Sequence, residues 1–222
     1  MRKAHTSSSL RSDGESEPES RAPHQPPNPN ADPRAEPAPL YAPLRVHGHH
    51  SMMIGVNAPE VLLERARELG LGALALTDSD NTAGWIDFIK AARARGLRPI
   101  LGAEISDPHD EEGRLVALVE NEVGFANLNK LVSARQLGGD PGEVGSELNV
   151  EDFQLMRAAT KYQEGLIYLV DHPRLCIGLM GRVAAHRVLV AIAPADLHGR
   201  STDLIGAARA TGFGIVAAPN VH

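Results

Sequence analysis

Polar groups of a metal-binding kind stand just past the ends of short apolar runs: His47, Asp78, Glu104, His172 and the Asn220-Val221-His222 segment. Imidazole and carboxylate both donate electron pairs to divalent ions. Collecting such groups at the carboxyl ends of barrel strands is how metal and phosphate sites are built in that kind of fold. Several neighbouring positions hold residues that cannot bind a metal, so the site reads as half dismantled.

The elements that must position these groups begin at Pro43. Strand-like runs fall at Leu44-Arg45-Val46-His47, Ala73 to Leu76, Pro99 to Ile105, Leu115 to Val119, Leu166 to Val170, Val188 to Ala193 and Ile215 to Ala218. Between them lie helical patterns. Asn57 offers a cap ahead of Pro59 and Glu60, and Leu62, Ala66 and Leu69 share a face of a helix that stops at Gly70. Trp85, Phe88, Ile89 and Ala92 form the inner stripe of a second helix ending at Gly96, and more helix is expected at Phe125 to Leu137, Val150 to Thr160 and Thr202 to Thr211. Strands that are apolar throughout are buried on both faces, which points to a parallel sheet covered by helices. The expected fold class is α/β, a distorted seven-stranded β/α barrel. An open doubly wound sheet is the rival, though no Gly-x-Gly-x-x-Gly or Gly-x-x-x-x-Gly-Lys-Ser/Thr signature follows a strand.

Composition narrows the class. The 222 residues are 42% hydrophobic, enough for one core. A net charge of −6 lacks the positive field of a dedicated nucleic-acid binder, so direct nucleic-acid binding by this chain is not expected. The single Cys176 excludes an internal disulfide framework and fits a reducing compartment. No run approaches the ~20 apolar residues of a membrane span. Nine of the sixteen prolines lie between Pro18 and Pro43, among few sizeable apolar groups, so residues 1–41 are expected to form a disordered tail and 42–222 the folded domain. The expected location is cytoplasmic, without membrane association.

Three motifs carry a family resemblance. Leu44-Arg45-Val46-His47-Gly48-His49-His50-Ser51-Met52-Met53-Ile54-Gly55, Ala73-Leu74-Ala75-Leu76-Thr77-Asp78-Ser79-Asp80-Asn81 and Arg98-Pro99-Ile100-Leu101-Gly102-Ala103-Glu104 resemble the polymerase and histidinol phosphatase (PHP) domain. The likeness is greatest to the PHP domain at the N-terminus of the bacterial DNA polymerase III α subunit. It continues in Gly124 to Ser133, Glu164 to Ile167 and Val216 to His222, and is weakest between Gly138 and Asn149. The resemblance implies a barrel with a metal cluster at the strand ends. Active members bind up to three divalent ions through His, Asp, Glu and sometimes Cys, and hydrolyse phosphoesters with a metal-held hydroxide.

Carried over by residue, the implied ligand set is depleted. His47, Glu104, His222 and, in the place of the family's Cys or His, His172 remain as vestigial metal ligands; a four-residue shift would put Cys176 in that last place instead. The first His of the opening His-x-His is Arg45, the Asp before the glycine is Ile54, and the His after Thr77-Asp78 is Ser79. The His of the fourth strand is Arg114, and the Asp of the closing Asp-x-His is Asn220. Asp78 reads as a partner behind the ligands or a helix-cap acid. Arg45, a permanent cation, can pair with Glu104 or Asp78 and close the site without an ion.

Three functions follow. The first is a non-catalytic PHP module related to the replicative polymerase, docking other polymerase domains or a proofreading exonuclease, with no catalytic residue and no cofactor. The second is a metal-dependent phosphoesterase using a reduced ligand set with Mn, Zn, Fe or Mg, His49 or His50 being recruited. The third is an α/β barrel with an unrelated small-molecule site. A replicative polymerase also needs palm, fingers and thumb domains, so these residues are not expected to polymerise DNA alone.

Overall fold

The structure, a computed structural model, describes residues 41–139, 149–193 and 200–221. The proline-rich segment up to residue 40, part of the stretch where the resemblance is weakest, and His222 lie outside the described residues.

The described strands are β1 (Arg45–Val46), β2 (Ala73–Ser79), β3 (Arg98–Asp107), β4 (Asp110–Val119), β5 (Leu166–Val170), β6 (Val188–Ile192), β7 (Gly214–Ala217) and β8 (Asn220–Val221). The helices are α1 (Pro59–Glu68), α2 (Trp85–Ala94), α3 (Glu122–Leu137), α4 (Leu155–Lys161), α5 (Pro173–Leu179) and α6 (Arg200–Thr211). Strand β2 is buried from Ala73 to Asp78, as its unbroken apolar run requires. Gly70 and Gly96 follow α1 and α2 with φ of 70° and 69°, the left-handed conformation that ends a helix most cheaply at glycine.

The sheet corrects the expectation of uniformly parallel strands. Its order is β2-β3-β4-β5-β6-β7, and β4 runs antiparallel to both β3 and β5 while the remaining neighbours are parallel. The reason is connection length. Only Pro108 and His109 separate β3 from β4, far short of the dozen or so residues a parallel crossover needs. The seven expected strands also become eight, because β8 forms a separate parallel pair with β1.

Strand β1 joins the larger sheet through a side chain. The Thr77 hydroxyl accepts from Val46 N at 2.9 Å and donates to Val46 O, and Ala75 N donates to Pro43 O at 2.9 Å. One apolar layer lies between sheet and helices and includes Trp85, Phe88, Leu128 and Tyr168. A second, smaller cluster gathers Ala75, Val116, Leu118, Leu169, Ala191 and Ala218 from the opposite side of the strands. Residues from β2 and from beyond β7 meet in that cluster, so the sheet curls, although the backbone ladder does not run continuously around it among the described residues.

Three local expectations change. Ala58, not Asn57, caps α1, and Asn57 O instead accepts from His49 N. The helix expected over Val150 to Thr160 divides into a 3-10 turn at Val150–Asp152 and α4. Helix α5 was not anticipated; Leu175, Cys176 and Leu179 are its buried face.

Candidate functional site

The rim is formed where β1, β2, β3 and β5 approach their carboxyl ends, and the antiparallel β4 contributes its beginning. Register explains the convergence. Ser79 of β2 lies opposite Glu104 of β3, and Arg114 of β4 lies opposite Ser106, two residues beyond Glu104. His47 follows β1 directly, and Asp171 follows β5.

Glu104 is the centre, with only 3% of its surface exposed. Its Oε2 accepts from Arg45 Nη2 at 3.3 Å and lies 3.6 Å from His47 Nε2; its Oε1 accepts from Ser79 Oγ at 3.4 Å and lies 3.5 Å from Arg114 Nη1. Burial alone would raise the pKa of this carboxyl. The His47 imidazole and the charges of Arg45 and Arg114 outweigh burial and hold it down at about 2.

Arg45 bridges two acids. Its Nη1 donates to Asp171 Oδ2 at 2.7 Å while Nη2 reaches Glu104, and its side chain is only 11% exposed. Burial opposes the positive form, but Asp171 and then Glu104 more than compensate and push the guanidinium pKa further up. Arg45 therefore remains a fixed cation between carboxylates.

Asp78 performs a different task from pairing with Arg45. Buried, it accepts from Gly48 N and Ser51 Oγ, both at 2.7 Å, and Ser51 Oγ in turn accepts from Ser79 N at 3.1 Å. These bonds clamp the loop after β1 onto β2. Gly55 packs so closely there that an added Cβ would lie 2.1 Å from Gly48 O, so the loop path requires glycine.

The remaining sequence-predicted residues are less central. Ile54 closes a turn, its N–H donating to Ser51 O at 3.1 Å. Asn220 is exposed on β8, opposite Arg45 in register. His172 caps α5, its Nδ1 accepting from Arg174 N at 3.2 Å. Cys176 is buried on α5, and burial, opposed by a backbone hydrogen bond and reinforced by Asp171, pushes its thiol up to about 11.

Sequence reasoning missed Asp171. Its signal was an acid immediately after an apolar run, one residue before the histidine that drew attention. Arg45, Ser79 and Arg114, three of the positions where the family resemblance implies histidine, all turn toward Glu104. Among the described residues, no three His, Cys, Asp or Glu side chains converge as a metal-holding group.

A curled α/β sheet with its polar residues at one rim defines the class, and sequence comparison supplies the family. The PHP domain model matches residues 43–211, and the chain belongs to that family. The DNA polymerase III subunit alpha of Neisseria meningitidis serogroup A is 34% identical over 117 residues, 51% of this chain and 10% of the relative. The error-prone DNA polymerase of Mycobacterium bovis is 31% identical over 211 residues, 82% of this chain and 19% of the relative. The chain thus spans between a tenth and a fifth of the length of these two relatives. An amidohydrolase structure from Chromobacterium violaceum, with bound sulfate and no metal, matches with a TM-score of 0.56 at 17% identity, covering 82% of this chain and 87% of the other. A Bifidobacterium adolescentis chain described as a metal-dependent phosphoesterase matches with a TM-score of 0.53 at 16% identity, covering 84% and 89%. These two likenesses show the fold.

Proposed function

We propose that this chain is a non-catalytic PHP module related to the N-terminal region of the DNA polymerase III α subunit, acting through protein contacts in DNA replication or error-prone synthesis. The observation that carries the proposal is Arg45. Its guanidinium lies between Asp171 and Glu104, where a buried cation is electrostatically wanted, and supplies that charge without an ion.

The residues present do not fit a cluster of two or three divalent ions. Glu104 faces two guanidinium groups, neither of which has an electron pair to offer. A divalent ion entering there would meet positive charge at close range. The partners in view are other domains of a polymerase or a proofreading exonuclease, and the expected location is the cytoplasm. Family membership and the closeness of His47 to Glu104 favour this reading over an unrelated small-molecule barrel.

A second reading keeps catalysis. His47 and Glu104 remain 3.6 Å apart, and a metal-dependent phosphoesterase could use them with a reduced ligand set, His49 or His50 being added.

Metal analysis of the purified chain, paired with a generic phosphodiester assay, separates the two. The non-catalytic module carries no stoichiometric Mn, Zn, Fe or Mg and shows no turnover. About two or more ions per chain, with turnover abolished by Glu104→Ala, would establish the enzyme instead. The combined changes Arg45→His, Ile54→Asp, Ser79→His, Arg114→His and Asn220→Asp are expected to create manganese binding, read as a melting temperature that rises with added manganese only in the variant.

A further inference from the structure

The turn next to the rim carries a donor set that the non-catalytic module does not use. Within five residues the chain presents His49, His50, Met52 and Met53. Gly48 O accepts from Ser51 N, and Ser51 O accepts from both Ile54 N and Gly55 N, so residues 48–55 fold into consecutive tight turns. The buried Asp78 anchors them through Gly48 and Ser51.

Two features of this turn lack a packing explanation. Met52 and Met53 are 85% and 103% exposed, although methionine is ordinarily a core residue. Met53 also has φ of 63°, at the third position of the Ser51–Ile54 turn, where glycine or asparagine fits with less strain. A flexible apolar side chain held in a strained backbone and directed into water marks a position where the side chain itself has a use. Beside it, the rings of His49 and His50 lie 4.2 Å apart between centroids, tilted by 37°. To place one nitrogen of each about 2 Å from a shared ion, these neighbouring rings would swing apart.

We propose that the His49-His50-Ser51-Met52-Met53 turn binds a single monovalent copper ion. The donors decide the metal. Thioether sulfur is soft and selects Cu(I), imidazole binds copper readily, and neither thioether contributes to the hard Mg or Mn chemistry associated with carboxylates. The site is distinct from the Glu104 rim: it needs no carboxylate, and its thioethers are open to solvent. Binding at this turn leaves the Arg45 bridge intact.

The test is anaerobic titration of the full 222-residue chain with Cu(I), in competition with the chromophoric chelator bicinchoninate, beside a parallel Zn(II) titration. One Cu(I) is expected to transfer from the chelator to the protein. Met52→Leu/Met53→Leu keeps the apolar bulk and removes both sulfurs; it is expected to weaken Cu(I) binding by at least about tenfold while leaving Zn(II) binding unchanged. His49→Ala/His50→Ala is expected to weaken Cu(I) binding by a similar factor or more, with circular dichroism confirming that both variants stay folded. Failure of the wild-type chain to withdraw Cu(I) from the chelator would overturn the proposal. So would a double leucine variant that binds Cu(I) as the wild type does, which would place the copper elsewhere.

Discussion

Two polar networks occupy the same end of the sheet and are built differently. Around Asp80, bonds are short and mostly engage neutral or backbone groups: Ser106 N donates to Asp80 Oδ1 at 2.9 Å, Gln136 Nε2 to Asp80 O at 2.6 Å, and Arg135 Nε to Ser106 O at 2.8 Å. Around Glu104, four side chains approach one buried carboxylate at 3.3 to 3.6 Å, longer than the 2.7–2.9 Å usual for charge-assisted bonds. The first network is a staple fitted to its place. The second has many groups crowding one carboxylate loosely, the pattern expected on the proposed reading that side chains once arranged around an ion have been exchanged. The Arg45–Asp171 contact, at 2.7 Å, does have staple-like geometry.

Removing one cation from each network tests that contrast with the largest effect. Arg45→Met strips the bridge from a carboxylate that is almost wholly buried, and is expected to cost about 3 kcal/mol, near the lower end for breaking a buried pair because Asp171 is partly exposed. Arg135→Met leaves Asp80 its backbone partner and is expected to cost about 1 kcal/mol. Urea unfolding of both variants measures the difference. Equal losses would abolish the distinction between the two networks.

Acid probes the Glu104 network without mutation. Its folded pKa lies near 2, below the ordinary 4.5, so its contribution is fully present above about pH 4.5 and is lost as pH falls toward 2. The drop corresponds to on the order of 3 kcal/mol. Glu104→Gln is expected to flatten that part of the stability–pH curve, measured by urea midpoints between pH 5 and 2.5. An unchanged slope in the variant would move the acid sensitivity to other carboxylates.

Much of this was legible in the chain, for reasons that differ by residue. The run Ala73 to Leu76 announces a doubly buried strand, and Gly70 and Gly96 announce helix ends, because local composition alone determines both. Arg45 could be expected in advance to meet Glu104 or Asp78, since opposite charges gathered at strand ends have few other ways to be satisfied. Asp171 could not be chosen over Asp78 by charge. The choice depends on β5 lying across the rim from β1, a consequence of the antiparallel β4, and that pairing hinges on a two-residue connection rather than on any apolar pattern. Asp78 was already engaged by Gly48 and Ser51, which only the path of the loop reveals. Helix α5 escaped notice because its seven residues are too few to establish a helical period.

The smallest effect concerns backbone strain, where the Asp80 network and the turn after β1 offer matched positions. Asp80 and Met53 are the non-glycine residues with positive φ among those described, at 50° and 63°. Asp80 offsets its strain through both carboxylate oxygens, which accept from Ser106 N and Oγ; Met53 has a fully exposed side chain. Glycine at each position relieves the same kind of strain but removes different contacts. Asp80→Gly is expected to destabilise by about 1–2 kcal/mol, since lost hydrogen bonds outweigh the relief. Met53→Gly is expected to stabilise by about 0.5–1 kcal/mol, because little but strain is removed. Opposite signs in thermal melts of the two variants would show that the left-handed residue at Asp80 is held by its own bonds, whereas the one at Met53 is imposed by a loop locked from Asp78 and Gly55. If Met53→Gly destabilised as Asp80→Gly does, the methionine would have to make stabilising contacts of its own, and the turn could not be treated as a rigid display of free side chains.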